Sequence, residues 1–232
     1  MKIETILSPL LFKNIDSIEK KIVVVIDILR ASSTITTIID HGAEALIAVV
    51  DEANASKYKN KDYLIGGERN GETISGFDFG NSPFHYKKNL VKDKTIVLTT
   101  TNGTRCVEMS SNASDVIIGS FLNLSAVANY LKNKNKDIVL FCAGWKNKVN
   151  LEDSLFAGAL AKKLTNAHLD DSTLLCMDAF EVSGKDLFKT LHKSNHFQRL
   201  EKKGVINDIE YCCKLDTTNI VPILKDGLIV RG

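Results

Sequence analysis

Four short polar clusters carry most of the chemistry open to this sequence. The first, Asp27-Ile28-Leu29-Arg30-Ala31-Ser32-Ser33-Thr34, emerges from an apolar run, Ile22 to Ile28, that only the acid interrupts. A carboxylate at the end of a buried strand is costly unless a metal or a cation meets it. Arg30 and three hydroxyls opening a helix suit an anion, because free N–H groups and the helix dipole act together there. The plainer alternative makes Ser32 or Ser33 an N-cap and Asp27 a partner of Arg30. A cap needs one hydroxyl, and three are present.

The second cluster is Gly66-Gly67-Glu68-Arg69. The third, Thr99 to Arg105 (TTTNGTR), holds an Asn102-Gly103 turn flanked by Thr101 and Thr104, with Arg105 in the first turn of the next helix. Such a turn exposes successive N–H groups and would form a second anion cradle. The fourth runs from Ala143-Gly144-Trp145 to Asn150-Leu151-Glu152-Asp153. Asp27, Glu68 and Asp78 are candidate ligands for Mg²⁺, which takes a few carboxylates, keeps several waters and binds substrate phosphate. Glu152 and Asp153 are candidate ligands too, although acids in the first turn of a helix are favourable without any function. Asn150 with Asp153 reads equally well as a cap pair. His192 and His196 have helical ligand spacing but lack the adjacent Glu of a zinc protease, and they read as a solvated helix face.

The elements that must position these clusters alternate. Strands are expected at Ile22–Ile28, Glu44–Val50, Tyr63–Ile65, Thr95–Thr99, Asp115–Ile118 and Asp137–Cys142, with two late strands at Ile220–Leu224 and Leu228–Val230. Helices are expected at Ser32–His41 and Asp51–Lys57, with others starting near Gly103, Asn123 and Leu151. A Gly-rich segment from Gly66 to Tyr86 shows little periodicity, and a loop that long is usually functional. This alternation predicts a three-layer α/β/α sandwich with a largely parallel sheet, formed by one domain over residues 1–232 with a mostly helical excursion at 166–215. In open sheets of this kind ligands bind beyond the carboxyl ends of the strands, and all four clusters fall there.

Composition sets the class. The chain has 232 residues with 30 Lys+Arg against 28 Asp+Glu, a formal charge of +2, and no basic tract of the kind a nucleic-acid surface needs. The longest apolar run, Ala45 to Val50, is too short for a membrane span, and Met1 to Phe12 lacks the core of a signal peptide. Five cysteines without C-x-x-C spacing read as reduced core thiols of a cytoplasmic protein. The sequence leaves homo-oligomer formation open.

With these residues assembled, the sequence resembles the 2-phosphosulfolactate phosphatase family. The resemblance lies in VVVIDILRASSTITTIIDHGA (Val23 to Ala43), GGERNGETISGFDFGNSP (Gly66 to Pro83), TTTNGTR (Thr99 to Arg105) and FCAGWKNKVNLEDSLFAGAL (Phe141 to Leu160). It implies an α/β fold and Mg²⁺-dependent hydrolysis of 2-phospho-3-sulfolactate to 3-sulfolactate and phosphate, a step of coenzyme M biosynthesis in methanogens. The expected partner is then a small, multiply anionic phosphorylated substrate. The assignment makes Asp27, Arg30 and Glu68 the catalytic residues. Ser32, Ser33, Thr34, Arg69, Asn81, Thr101, Asn102, Gly103, Thr104 and Arg105 would bind substrate, and Asp27, Glu68, Asp78, Glu152 and Asp153 would supply metal ligands. A haloacid-dehalogenase-type phosphatase is rejected, because it wants a second acid where Leu29 stands. The alternatives are a phosphatase of another small phosphorylated organic acid and a non-catalytic phospho-ligand-binding protein; the latter would need the cradles but not the acids.

Overall fold

The computed structural model describes residues 1–59, 62–184 and 186–232. In chain order the elements are β1 (Lys2–Ile6), β2 (Ile22–Ile26), α1 (Ala31–Asp40), β3 (Ala45–Ala48), α2 (Glu52–Ser56), β4 (Tyr63–Arg69), β5 (Glu72–Thr73), α3 (Lys88–Val91), β6 (Thr95–Thr99), α4 (Gly103–Met109), β7 (Asp115–Gly119), α5 (Leu124–Lys132), β8 (Ile138–Cys142), α6 (Leu151–Lys163), β9 (His168–Leu169), α7 (Asp171–Ser183), α8 (Leu187–Leu191), α9 (Asn195–Glu201), α10 (Ile206–Cys212), β10 (Pro222–Lys225) and β11 (Leu228–Arg231). The strands form one mixed, mostly parallel sheet in the order β5-β4-β6-β3-β11-β10-β7-β2-β8-β1-β9.

The pattern of β2 explains the layering. All five residues of IVVVI are buried, because each face of the strand meets its own core. Val23 and Val25 pack with Ile35, Ile38 and Ile39 of α1 and with Cys106 and Val107 of α4. Ile22, Val24 and Ile26 pack with Leu124, Val127 and Leu131 of α5 and with Leu155 and Phe156 of α6. Burying each such side chain contributes roughly 1.5–3 kcal/mol. β2 pairs in parallel with β7 on one side and β8 on the other. A second parallel group, β4-β6-β3, is joined to the first by the antiparallel hairpin β10–β11, which meets β7 through Ile223 opposite Ile117 and β3 through Ile229 opposite Leu46.

The helical excursion is tied to the rest at Gly158 of α6. A Cβ there would lie 2.0 Å from the carbonyl oxygen of Cys176, so only glycine lets α7 approach this closely. On α9, Ser194 caps the helix by accepting from the Phe197 N–H at 3.0 Å, and Phe197 and Leu200 bury its apolar side.

Three expectations change. β1 was not expected from the sequence. β4 continues through Gly66 and Gly67 to Arg69 and turns back as β5, and a 3₁₀ turn spans Pro83–His85, so much of the Gly66–Tyr86 segment is regular. His196 is not solvated: it is buried, whereas His192 is exposed and faces Glu201 at 3.8 Å. The five cysteines are free thiols, four of them buried. Among the described residues no helix is long and apolar enough to cross a membrane.

Candidate active site

The turns leaving β2, β4 and β6 meet around a small polar cleft. Asp27 follows β2 directly. Its N–H donates to Ser32 Oγ at 3.2 Å, and its carbonyl accepts from the Ser32 N–H at 2.8 Å, which closes the turn into α1. Gly103, the first residue of α4, lies against it: a Cβ there would come within 2.9 Å of Asp27 Oδ2 and 2.5 Å of the Ala31 Cβ. The absence of a side chain at 103 is therefore what lets α4 and the Asp27 turn share this corner. Glu68, near the end of β4, is held by two backbone donors, the Thr101 N–H at 2.7 Å and the Gly71 N–H at 2.6 Å.

Burial raises the Asp27 pKa to about 7; the charges of Glu68 and Glu152 act in the same direction, while His196 and the Ala31 N–H oppose them. Arg30, 4% exposed, forms an ion pair through Nη1 with Asp208 and donates from Nη2 to the Gly71 carbonyl at 3.3 Å. Ser82 Oγ donates to the other Asp208 oxygen at 2.8 Å. The guanidinium is thus fixed in place with its charge balanced.

The opposite wall comes from the excursion. His196 Nδ1 pairs with Glu152, and its ring stacks on Trp145 at 6.3 Å. The Arg199 guanidinium lies 4.8 Å over the same indole, and its Nη1 donates to the Asn70 carbonyl at 3.2 Å. Asp153 is a strut beneath: its two oxygens accept from the Ile28 N–H at 2.9 Å and the Gly144 N–H at 3.0 Å, pinning the β2 and β8 turns together. Burial, with Asp27 and Glu152 close by, pushes its pKa well up.

Buried polar atoms almost always find partners. Among the described residues four buried side-chain atoms have none: Asn81 Oδ1, Thr101 Oγ1, Arg199 Nε and Glu152 Oε2. The first three belong to residues lining this cleft, and Glu152 sits immediately behind His196.

Of the residues singled out in the sequence, Asp27, Arg30, Glu68, Asn81, Thr101 and Asn102 line the cleft. Gly103 lies beneath it. The hydroxyls of the first cluster are directed elsewhere: Ser32 accepts from Asp27, Ser33 donates to the Ile28 carbonyl at 3.0 Å, and Thr34 donates to the Asn81 carbonyl at 2.9 Å. Arg69 clips β4 to its neighbours through the Val50 carbonyl at 3.0 Å and Thr99 Oγ1 at 2.9 Å. Thr104 bonds back to Thr100. Asp78 accepts from the Ile65 N–H at 2.8 Å and stands apart from the cleft. Arg105 is exposed and donates to Asn147 Oδ1 at 3.1 Å, also outside it.

Sequence reasoning left out Asn70, Gly71, His196, Arg199 and Asp208. A signal existed for two of these. His196 and Arg199 are three residues apart and so share a helix face, next to buried Phe197 and Leu200.

A Mg²⁺ ion takes one or two carboxylates plus substrate phosphate rather than a dedicated cage. Among the described residues no group of three or more His, Cys, Asp or Glu side chains is set to hold a metal. Asp27 and Glu68, both on the cleft, nevertheless supply hard oxygen donors of the right kind. Only the His196 charge and the Ala31 N–H offset the burial of Asp27, and Glu152 Oε2 nearby lacks a partner. The donor set fits the ion.

Residues 8–227 match the family model described as 2-phosphosulpholactate phosphatase. A relative from Caldanaerobacter subterraneus, named probable 2-phosphosulfolactate phosphatase, is 42% identical over 219 residues, which is 91% of each chain. Relatives of the same name from Thermotoga maritima and Clostridium novyi are 43% identical over 213 residues (92% of this chain, 93% of the relative) and 38% identical over 228 residues (96% of each). With a single family model and these relatives spanning nearly its whole length, the chain belongs to the 2-phosphosulfolactate phosphatase family.

Proposed function

We propose that this protein is a Mg²⁺-dependent phosphatase that hydrolyses 2-phospho-3-sulfolactate to 3-sulfolactate and phosphate. The observation that carries the reading is the cleft itself: two carboxylates and two arginines line one small polar space, together with Asn81 and Thr101, and three of the lining residues keep a buried polar atom without a partner. The names of the relatives supply the substrate.

Asp27 and Glu68 would hold the metal. When bound, Mg²⁺ polarises the phosphoryl group and neutralises charge that develops on it. Arg30, locked by Asp208, is pre-positioned to bind phosphoryl oxygens without reorganising. The free Thr101 hydroxyl adds a donor, and the unpartnered Asn81 Oδ1 adds an acceptor. Trp145 and Leu200 line the cleft with apolar surface, which strengthens each charged contact made there.

Phosphate release from 2-phosphosulfolactate tests the reading. Activity should vanish with EDTA and return with Mg²⁺. Full activity after exhaustive chelation would remove the metal from the mechanism, and no turnover under any condition would make the protein a phospho-ligand sensor instead.

A further inference from the structure

We propose that Arg199 selects an anionic group of the substrate that is not transferred, its carboxylate or its sulfonate, and so restricts this site to phosphomonoesters that also carry such a group. The inference rests on the phosphatase reading above and adds a residue to it.

Two arginines line the cleft, and they differ in one respect. Arg30 is matched by Asp208. Arg199 makes no ion pair among the described residues. Its Nη1 is used by the Asn70 carbonyl, but its Nε is buried and unpartnered. Guanidinium nitrogens are donors only, so that N–H calls for an acceptor; the charge feels Glu68, Glu152 and Asp27 but pairs with none of them. The Trp145 ring holds the guanidinium plane from one side at 4.8 Å, fixing its orientation. A planar, immobilised guanidinium with an unpartnered N–H is the group that binds sulfonate or carboxylate oxygens with directional, charge-assisted bonds. Arg105, which the sequence put forward for this task, is exposed and outside the cleft.

The test compares Arg199→Met, which keeps the packing stem over Trp145, with the parent on three substrates. These are 2-phosphosulfolactate, 2-phosphoglycerate (a carboxylate-bearing phosphomonoester) and p-nitrophenyl phosphate, which has no second anion. On the first two, kcat/KM should fall by about ten- to a hundredfold, mainly through KM. On p-nitrophenyl phosphate the change should stay within about threefold. Arg199→Lys, which retains the charge without the planar fork, should lose less than Arg199→Met on the multiply anionic substrates and serves as the folded control. An equal loss on all three substrates would assign Arg199 to the phosphoryl group, and no loss on any would remove it from recognition; either overturns the inference. If the parent hydrolyses 2-phosphoglycerate but not 2-phosphosulfolactate, the proposed substrate fails while the Arg199 comparison still decides. If the parent turns over nothing, calorimetric binding of 3-sulfolactate to parent and variant decides it: unchanged affinity overturns the inference, and a tenfold weakening supports it.

Discussion

Asp27→Asn keeps the side chain's shape and removes its charge, so stability and activity should move in opposite directions. The carboxyl titrates at about 7 in the fold against an ordinary value of 3.8. At about 1.36 kcal/mol per pH unit this difference amounts to roughly 4 kcal/mol. The folded pKa is the higher one, so the folded state binds the extra proton. The stability linked to it is complete below about pH 4 and is lost as pH rises through 7. Relaxation of Glu68 and Glu152 around the charge reduces the effect, which leaves an expected gain of about 2–4 kcal/mol for metal-free Asp27→Asn at pH 8. In a chain of this length that is about 4–8 °C in Tm. The gain should shrink to under roughly 1 kcal/mol by pH 4, where Asp27 is protonated in the fold and close to its ordinary value of 3.8 when unfolded. Hydrolysis should meanwhile fall by at least about a hundredfold. Thermal melts of metal-free parent and variant between pH 4 and 8, with and without Mg²⁺, read all of this. Because the proton and the ion compete for one carboxylate, Mg²⁺ should raise the parent's Tm at pH 8 more than at pH 5.5, and hardly at all in the variant. A variant that melts below the parent at pH 8, with no pH dependence in the difference, would show that partners hold Asp27 ionised and would refute the burial argument.

Three further outcomes are expected. Asp208→Asn leaves the Arg30 charge buried without its counter-ion and should destabilise by about 3 kcal/mol in denaturant titrations; an unchanged midpoint would mean that water reaches Arg30. Gly103→Ala drives a methyl against Ala31 and Asp27 and should lower stability by about 1–3 kcal/mol and slow turnover by displacing Asp27, as read by melts and phosphate release. Arg105→Ala removes an exposed side chain and should leave kcat/KM within about threefold on every substrate; a selective tenfold loss would return Arg105 to the site.

The sheet was legible in the sequence wherever strands are buried on both faces. The runs at β2, β6 and β8 admit no other reading, since no polar residue interrupts them. β1 escaped because KIETI alternates, with Lys2 exposed and Glu4 half-buried at the sheet's margin. At the site, residues set by strand ends were readable: Asp27 and Glu68 come to the cleft because β2 and β4 deliver them there. The hydroxyls of α1 bond to backbone instead: Ser32 and Ser33 close the turn after β2, and Thr34 donates to the Asn81 carbonyl. The contribution of α9 and α10 was illegible for another reason. His196 and Arg199 reach the cleft, and Asp208 reaches Arg30, only through tertiary docking of the excursion; beyond the face His196 and Arg199 share beside Phe197 and Leu200, nothing local announces which side turns inward.

The hairpin of β10 and β11 sits in the interior of the sheet although it follows every other strand in the chain. β7 ends at Gly119 and β3 at Ala48, yet the strands that join them begin at Pro222 and Leu228. During synthesis, both half-sheets therefore wait on the ribosome with unsatisfied inner edges until residues 222–231 emerge. Long-range closure of this kind is slow, and apolar edge strands left open in the interval are templates for pairing with other chains. The few residues of this hairpin act as the keystone of the sheet, and how promptly they are delivered governs how long a nascent molecule is exposed to aggregation.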